Sequence, residues 1–345
     1  MLAPEMHLLS PSDDGPVDLC LRIPGMKKIL VMLAAVAAVA ISSAARAEYP
    51  DRIVRIVVPF TAGGAVDLVA RVMARYLSEQ FHQEVYVDNR PGASGNLGAQ
   101  QVEQAPADGT TLLFSASTFV VNPVVAAEPP PFDPLKDFTP LGLIAKGPLL
   151  FIAHAGVADG VQDFVAKAKA HPEAFNFATG GYGSAGHMAA ESFKLRAGLS
   201  VPVVLYKGTG PAFTDLMGGT ISGMLDPLVT SLPLAQGKQA SALAIAASAR
   251  SALAPDVPTF SEAGYPGFEF YTWYGLWGPA NLPPNVVATI SRALAAIGAS
   301  GDTQKWFSGQ GLEYSGIGGQ SFVDFSKKEQ SLYADIMKRG NITRQ

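Results

Sequence analysis

The sequence predicts an α/β protein of two domains, on two observations. The first is a β-branched run, Ile56-Val57-Val58, that ends at Pro59-Phe60, turns through Gly63-Gly64 and enters a helix with Val66, Ala70, Met73 and Leu77 on one face. The second is that the same plan returns about 120 residues later. There, 175–179 reads as a strand, 180–186 as a glycine-rich turn, and His187 onward as a helix with Met188, Ser192, Leu195 and Leu199 on one side. Each copy then gives a second strand, a second helix and a third strand, so βαβαβ occurs twice. The copies share a layout rather than a sequence.

In the first copy the strand 85–87 ends in the polar turn Asp88-Asn89-Arg90-Pro91-Gly92, and the glycine-rich turn 91–98 opens a helix through about Gln104. Asp108-Gly109 turns into the strand 111–115, which ends in small hydroxyls through Thr118. These hydroxyls suit either a ligand or the cap of a following helix. The proline-rich stretch 123–140 reads as a loop, and 141–145 and 149–153 as two strands where the chain crosses between domains. A helix at 161–170 precedes the second copy. In that copy the strand 201–205 ends at Tyr206-Lys207-Gly208, Thr209 is placed to cap a helix with Pro211 inside it, and Gly218-Gly219 stops it. A third strand at 221–225 and a small-residue strand at 242–247 follow. The aromatic run 270–279 returns the chain to the first domain and reads as core and interdomain packing, with ligand stacking as the alternative. Helices are expected from Pro283-Pro284-Asn285 and over 321–338, with Ser321 and Asp324 as a capping box and Gly340 as the C-cap.

A strand that turns through glycines into a helix leaves backbone N–H groups free at the helix start. Those groups and the helix dipole favour an anion there. Asp67 has two readings: it complements the dipole, or it also faces a ligand. The bulk composition narrows the class. The 345 residues are 48% hydrophobic with a net charge of -4, which gives a real core and no basic stripe for nucleic acid. Met26-Lys27-Lys28, the apolar run 29–41 and Ala45-Arg46-Ala47 have the form of an export leader, so the mature chain is expected to begin near Glu48. The apolar run is shorter than the roughly 20 residues of a membrane span. Translation is expected to start at Met26, leaving 1–25 as an extension. The single cysteine, Cys20, precedes the leader, so no disulfide is expected in the exported chain.

Two motifs suggest catalysis and fail on inspection. Gly181-Tyr182-Gly183-Ser184-Ala185-Gly186 has the dinucleotide spacing, but it sits mid-chain and the next strand ends at Tyr206-Lys207 without an acid for a ribose. Ser184 and His187 lie three apart, yet a nucleophile elbow needs glycine two residues before the serine, where Tyr182 stands. His187 therefore reads as a hydrogen-bond donor or a capping residue. His82, His154 and His171 are not at metal-ligand spacing, and neither metal nor cofactor is expected.

From Tyr49 onward the chain resembles the Bug family, the periplasmic solute receptors of tripartite tricarboxylate transporters. The resemblance rests on Pro59-Phe60 with Gly63-Gly64, Asp67 and Ala70-Arg71, and on Val87 with Asn89-Arg90-Pro91-Gly92-Ala93 and Gly95-Asn96. Asp108-Gly109-Thr110, Gly183-Ser184 with His187, Tyr206-Lys207-Gly208, Asp215-Leu216, Pro258-Thr259 with Glu262-Ala263-Gly264, and Trp273-Tyr274-Gly275-Leu276 complete it. It implies a type II periplasmic binding protein: two α/β domains, here 48–148 with 270–345 and 149–269, hinged about a ligand cleft. It further implies capture of a small organic carboxylate (a di- or tricarboxylate, an amino acid or an aromatic acid) and transient delivery to transporter membrane subunits by a monomer. The implied ligand contacts are Phe60, Thr61, Ala62, Gly63, Gly64, Asp67 and Ser117 on one side, and Gly183, Ser184, His187, Tyr206, Lys207 and Asp226 on the other. Leu205, Tyr182 and Asp226-Pro227 depart from the family pattern beside the second half of the cleft, so no relative's ligand transfers directly. An exported enzyme and a sensor for a signalling system are the alternative readings, and no nucleophile–base pair supports the former.

Overall fold

The computed structural model describes residues 49–340 and 342–344. The expected leader at 26–47, the extension 1–25 and Cys20 lie outside the described residues. The chain opens with β1 (Val54–Val58), which lies parallel between β2 (Val85–Asn89) and β3 (Thr111–Ala116). Between these strands run α1 (Ala65–Phe81) and, after a 3₁₀ turn at Ala93–Gly95, α2 (Asn96–Glu103). Helix α3 (Ser117–Val125) starts directly from the end of β3, and β4 (Phe138–His154) follows. Next come α4 (Val161–Ala170), β5 (Phe177–Thr179), α5 (Ala185–Ala197), β6 (Val203–Leu205) and α6 (Thr209–Met217). Then β7 (Gly223–Pro227), α7 (Leu228–Gln236), β8 (Ala240–Ile245) and β9 (Tyr271–Pro279) complete the middle of the chain. The last elements are α8 (Pro284–Ala299), α9 (Gly301–Gly309), β10 (Glu313–Ile317) and α10 (Gly319–Gly340).

Two sheets result, and β4 belongs to both. Its first part, Phe138 to Pro148, pairs antiparallel with β9, and β10 joins at Leu143 to Lys146. Its last part, Leu149 to His154, pairs antiparallel with β7 and β8. One sheet therefore runs β2-β1-β3-β9-β4-β10 and the other β6-β5-β7-β4-β8. Each has its own apolar core. Ile56, Leu77, Phe114 and Ile290 fill the first, and Phe151, Phe164, Phe177, Phe193 and Phe260 the second. Burial of rings of this size contributes roughly 1.5–3 kcal/mol each. The two lobes also meet directly: Tyr182 of the second packs with Val121 and Val125 of α3 and with Tyr333 and Met337 of α10. The Tyr182 hydroxyl lies 3.1 Å from Val125 O and 3.1 Å from Thr343 O.

Several local expectations change. The strands at 141–145 and 149–153 are one strand, because β9 pairs through Gly147 and Pro148 without a break. Part of the loop at 123–140 is helical. Phe119, Val120, Val121 and Val125 are buried in α3, and that burial outweighs the hydrogen bond lost at Pro123. Helix α6 begins at Thr209 with Gly208 as its N-cap, so Thr209 is inside the helix rather than capping it. Ser321 is likewise inside α10, which begins at Gly319. Trp273 and Trp277 of β9 are buried among Phe119, Phe138 and Phe322, which is the core packing expected of the aromatic run.

Candidate functional site

A cavity with about 60 Å³ of room for water-sized molecules, partly open to solvent, lies where the strand ends of both sheets meet. Its wall contains the N-cap residues of five helices: Gly64 of α1, Ala116 of α3, Ser184 of α5, Gly208 of α6 and Pro227 of α7. This follows from the parallel βα units, since each helix begins at the carboxyl end of a strand and those ends share one side. The first intrahelical bonds are Leu68 N to Gly64 O in α1 and Met188 N to Ser184 O in α5. Ala65, Val66, Ala185 and Gly186 precede them and line the cavity with first-turn N–H groups. The remaining wall is mostly small or hydroxylic, from Thr118, Thr179, Gly180, Thr209, Thr272 and Tyr274. Among the described residues, no lysine, arginine or histidine lines it. Five positive dipole ends face a space without a cationic side chain, an arrangement that favours a small anion held by neutral donors.

Several side chains organise this wall. Asp67 is 5% exposed. Its carboxylate accepts from Gly63 N at 3.1 Å, Asn89 Nδ2 at 3.0 Å and Arg71 Nε at 3.0 Å. Burial alone would raise its pKa, but these partners together hold it below the usual carboxylate range. Asp67 thus locks the 61–64 turn to α1, with its oxygens already engaged. Ser184 caps α5: its Oγ accepts from His187 N at 3.1 Å and lies 2.8 Å from Thr179 Oγ1. His187 is 2% exposed and its Nδ1 accepts from Gly183 N at 3.2 Å, so the ring caps the turn as an acceptor, not a donor. Burial lowers its pKa to about 4 and keeps it neutral.

The turns of the two lobes touch across the cavity. Thr61 N donates to Lys207 O at 3.2 Å. Gly208, at φ +143, lies so close to Thr61 that a Cβ there would strike the threonine hydroxyl. A Cβ on Gly64 would lie 3.0 Å from Thr209 Oγ1. The glycines at these positions let the two helix starts approach, as in a closed cleft.

Of the residues implied as contacts, Phe60, Gly64, Asp67, Ser117, Ser184 and Asp226 line the cavity. Thr61 and Lys207 stand at the contact between the turns, with the Lys207 side chain exposed. Ala62 and Gly63 are exposed, Gly183 and His187 lie behind the α5 cap, and the Tyr206 hydroxyl is bonded to Asp215. Tyr274, expected in the packed aromatic run, also lines the cavity, and its buried hydroxyl makes no hydrogen bond of ordinary geometry among the described residues. Among the described residues, no group of three or more His, Cys, Asp or Glu side chains is placed to hold a metal, and no helix is long and apolar enough to cross a membrane.

Comparison with known proteins places the chain among similar ones. The family described as "tripartite tricarboxylate transporter family receptor" matches residues 69–342. BugT of Bordetella pertussis (strain Tohama I) is 35% identical over 246 residues, which is 71% of this chain and 76% of BugT. The solved structure of R. palustris Rpa4515 with adipate has a TM-score of 0.83 at 31% identity, covering 86% of this chain and 100% of that one. MatC from Rhodopseudomonas palustris with bound malate has a TM-score of 0.77 at 29% identity, covering 84% and 99%.

Proposed function

Because the chain belongs to the tripartite tricarboxylate transporter receptor family, whose members are periplasmic solute-binding receptors and not enzymes, we propose that it captures a small organic carboxylate in the cavity between its lobes. The convergence of five helix N-caps on a space that no cationic side chain lines among the described residues carries this reading. The adipate and malate of its solved relatives are consistent with it. Export through the leader at 26–47 and transient delivery to transporter membrane subunits belong to the same reading. So does a division of lobes at 148/149, where β4 changes sheet, and at 269/270, just before β9 begins at Tyr271.

The energetics fit a receptor that closes. Micromolar capture corresponds to about 8 kcal/mol. Five helix starts at roughly 0.3–1 kcal/mol each contribute about 1.5–5 kcal/mol together. The remainder falls to charge-assisted hydrogen bonds, roughly 1.5–3 kcal/mol each, from first-turn N–H groups and wall hydroxyls once water is excluded. A thermal-shift screen of organic acids against neutral sugars and amides tests the class. A carboxylate at about 100 times its Kd should stabilise the protein by about 2.7 kcal/mol, raising the melting temperature by about 5–10 °C. Shifts with neutral solutes and none with any carboxylate would overturn the reading.

A further inference from the structure

We propose that the captured carboxylate also bears a hydrogen-bond donor, a hydroxyl or an ammonium, which Asp226 and Tyr274 hold at the wall of the cavity. This rests on the carboxylate reading above and adds a ligand class to it. Asp226 is 1% exposed, at the end of β7 where α7 begins. Thr230 Oγ1 donates to its Oδ2 at 2.6 Å, while Oδ1 accepts no hydrogen bond from the described residues. Asp226 forms no ion pair among the described residues, in contrast to Asp67, whose Arg71 partner lies at 2.9 Å. Burial without a cation pushes its carboxyl up to about 7.

Tyr274 of β9 lies on the same wall, close enough that a charge on Asp226 opposes ionisation of the phenol. Its hydroxyl is buried and makes no hydrogen bond of ordinary geometry; Thr272 is a polar neighbour outside that geometry. Ser117 Oγ, also in the wall and buried, is in the same condition beside Tyr333. Buried polar atoms left without partners are costly in a folded protein unless something else satisfies them. The wall therefore offers an acceptor at Asp226 and a donor or acceptor at Tyr274. Above about pH 7, where Asp226 is ionised, a second carboxylate placed there would set like charges together in a dry space. A hydroxyl donates to Asp226 and accepts from Tyr274, and an ammonium donates to both.

Calorimetry on the mature protein tests this with two matched pairs, L-malate against succinate and 6-hydroxyhexanoate against adipate. The expected result is at least tenfold tighter binding of the donor-bearing acid in one pair or both, with the ratio shrinking below threefold in Asp226→Asn and in Tyr274→Phe. The wild-type ratio needs no variant, and melting curves check that the variants fold. Equal or tighter binding of the donor-free acid in both pairs would overturn the inference while leaving carboxylate capture standing. A preference that survives in both folded variants would overturn it too. Failure of all four acids, and of every carboxylate in the thermal-shift screen, to bind would remove the carboxylate reading and this inference with it.

Discussion

His187 and Asp226 are buried titrating groups whose pH dependences have opposite signs. Burial holds His187 at about 4 against 6.5 for a free histidine. Between those values the unfolded chain binds more protons, so this group makes stability rise with pH and lose its contribution on acidification. Burial raises Asp226 to about 7 from 3.8. Between those values the folded chain binds more protons, so this group makes stability fall as pH rises. One pKa unit is about 1.4 kcal/mol, so each group contributes about 2–3 kcal/mol of change between pH 4.5 and 6.5. Denaturant unfolding at both pH values should therefore show His187→Gln losing stability relative to wild type as pH rises, and Asp226→Asn gaining it. Parallel changes in the two variants would contradict these assignments. His187 was legible as a polar group at a helix start and Asp226 as one at a strand end. Their protonation was not, because it depends on burial by segments distant in sequence.

At the scale of elements, the site consists of helix starts brought to one place by parallel strands. The two turns at 61–64 and 180–186 were legible because a β-branched run, glycines and a 3.6-residue period occur in order. Helix α3 was not, since Pro123 opens a proline-rich stretch that reads as a loop and only tertiary burial overrides it, and α7, with Pro233 inside it, was not expected. Tyr274 was obscured for a related reason: its strand is buried on both faces, and no local period separates a ring that only packs from one that also lines a cavity. Gly64 tests the element scale. Its backbone, at φ -88 and ψ 170, accepts a β-branched residue, but the added carbons would press against Thr209 and hold α1 and α6 apart. Gly64→Val should weaken binding of the screened carboxylate at least tenfold in calorimetry. Loss of a good cap should cost about 1 kcal/mol of stability, a fall of about 2–4 °C in melting temperature. Wild-type affinity in the folded variant would place the ligand elsewhere.

At the scale of the whole molecule, two sheets share the continuous strand β4, and β9 returns beside it. The repeated βαβαβ layout made two lobes legible. The continuity of β4 was not, because Gly147-Pro148 reads as a break and only pairing with β9 carries the strand through it. Two adjacent crossing segments allow the lobes to pivot, whereas Thr61 N to Lys207 O and the packing of Tyr182 on Val125 exist only when the lobes are together. On the proposed reading, the hydrogen bonds that complete the binding free energy likewise form only on closure, which makes capture and closure one event. Solution scattering tests this most directly, with the mature protein measured alone and saturated with a carboxylate whose binding calorimetry has established. The expected result is a smaller radius of gyration in the bound protein. An unchanged radius at full occupancy would contradict capture by closure of the two lobes.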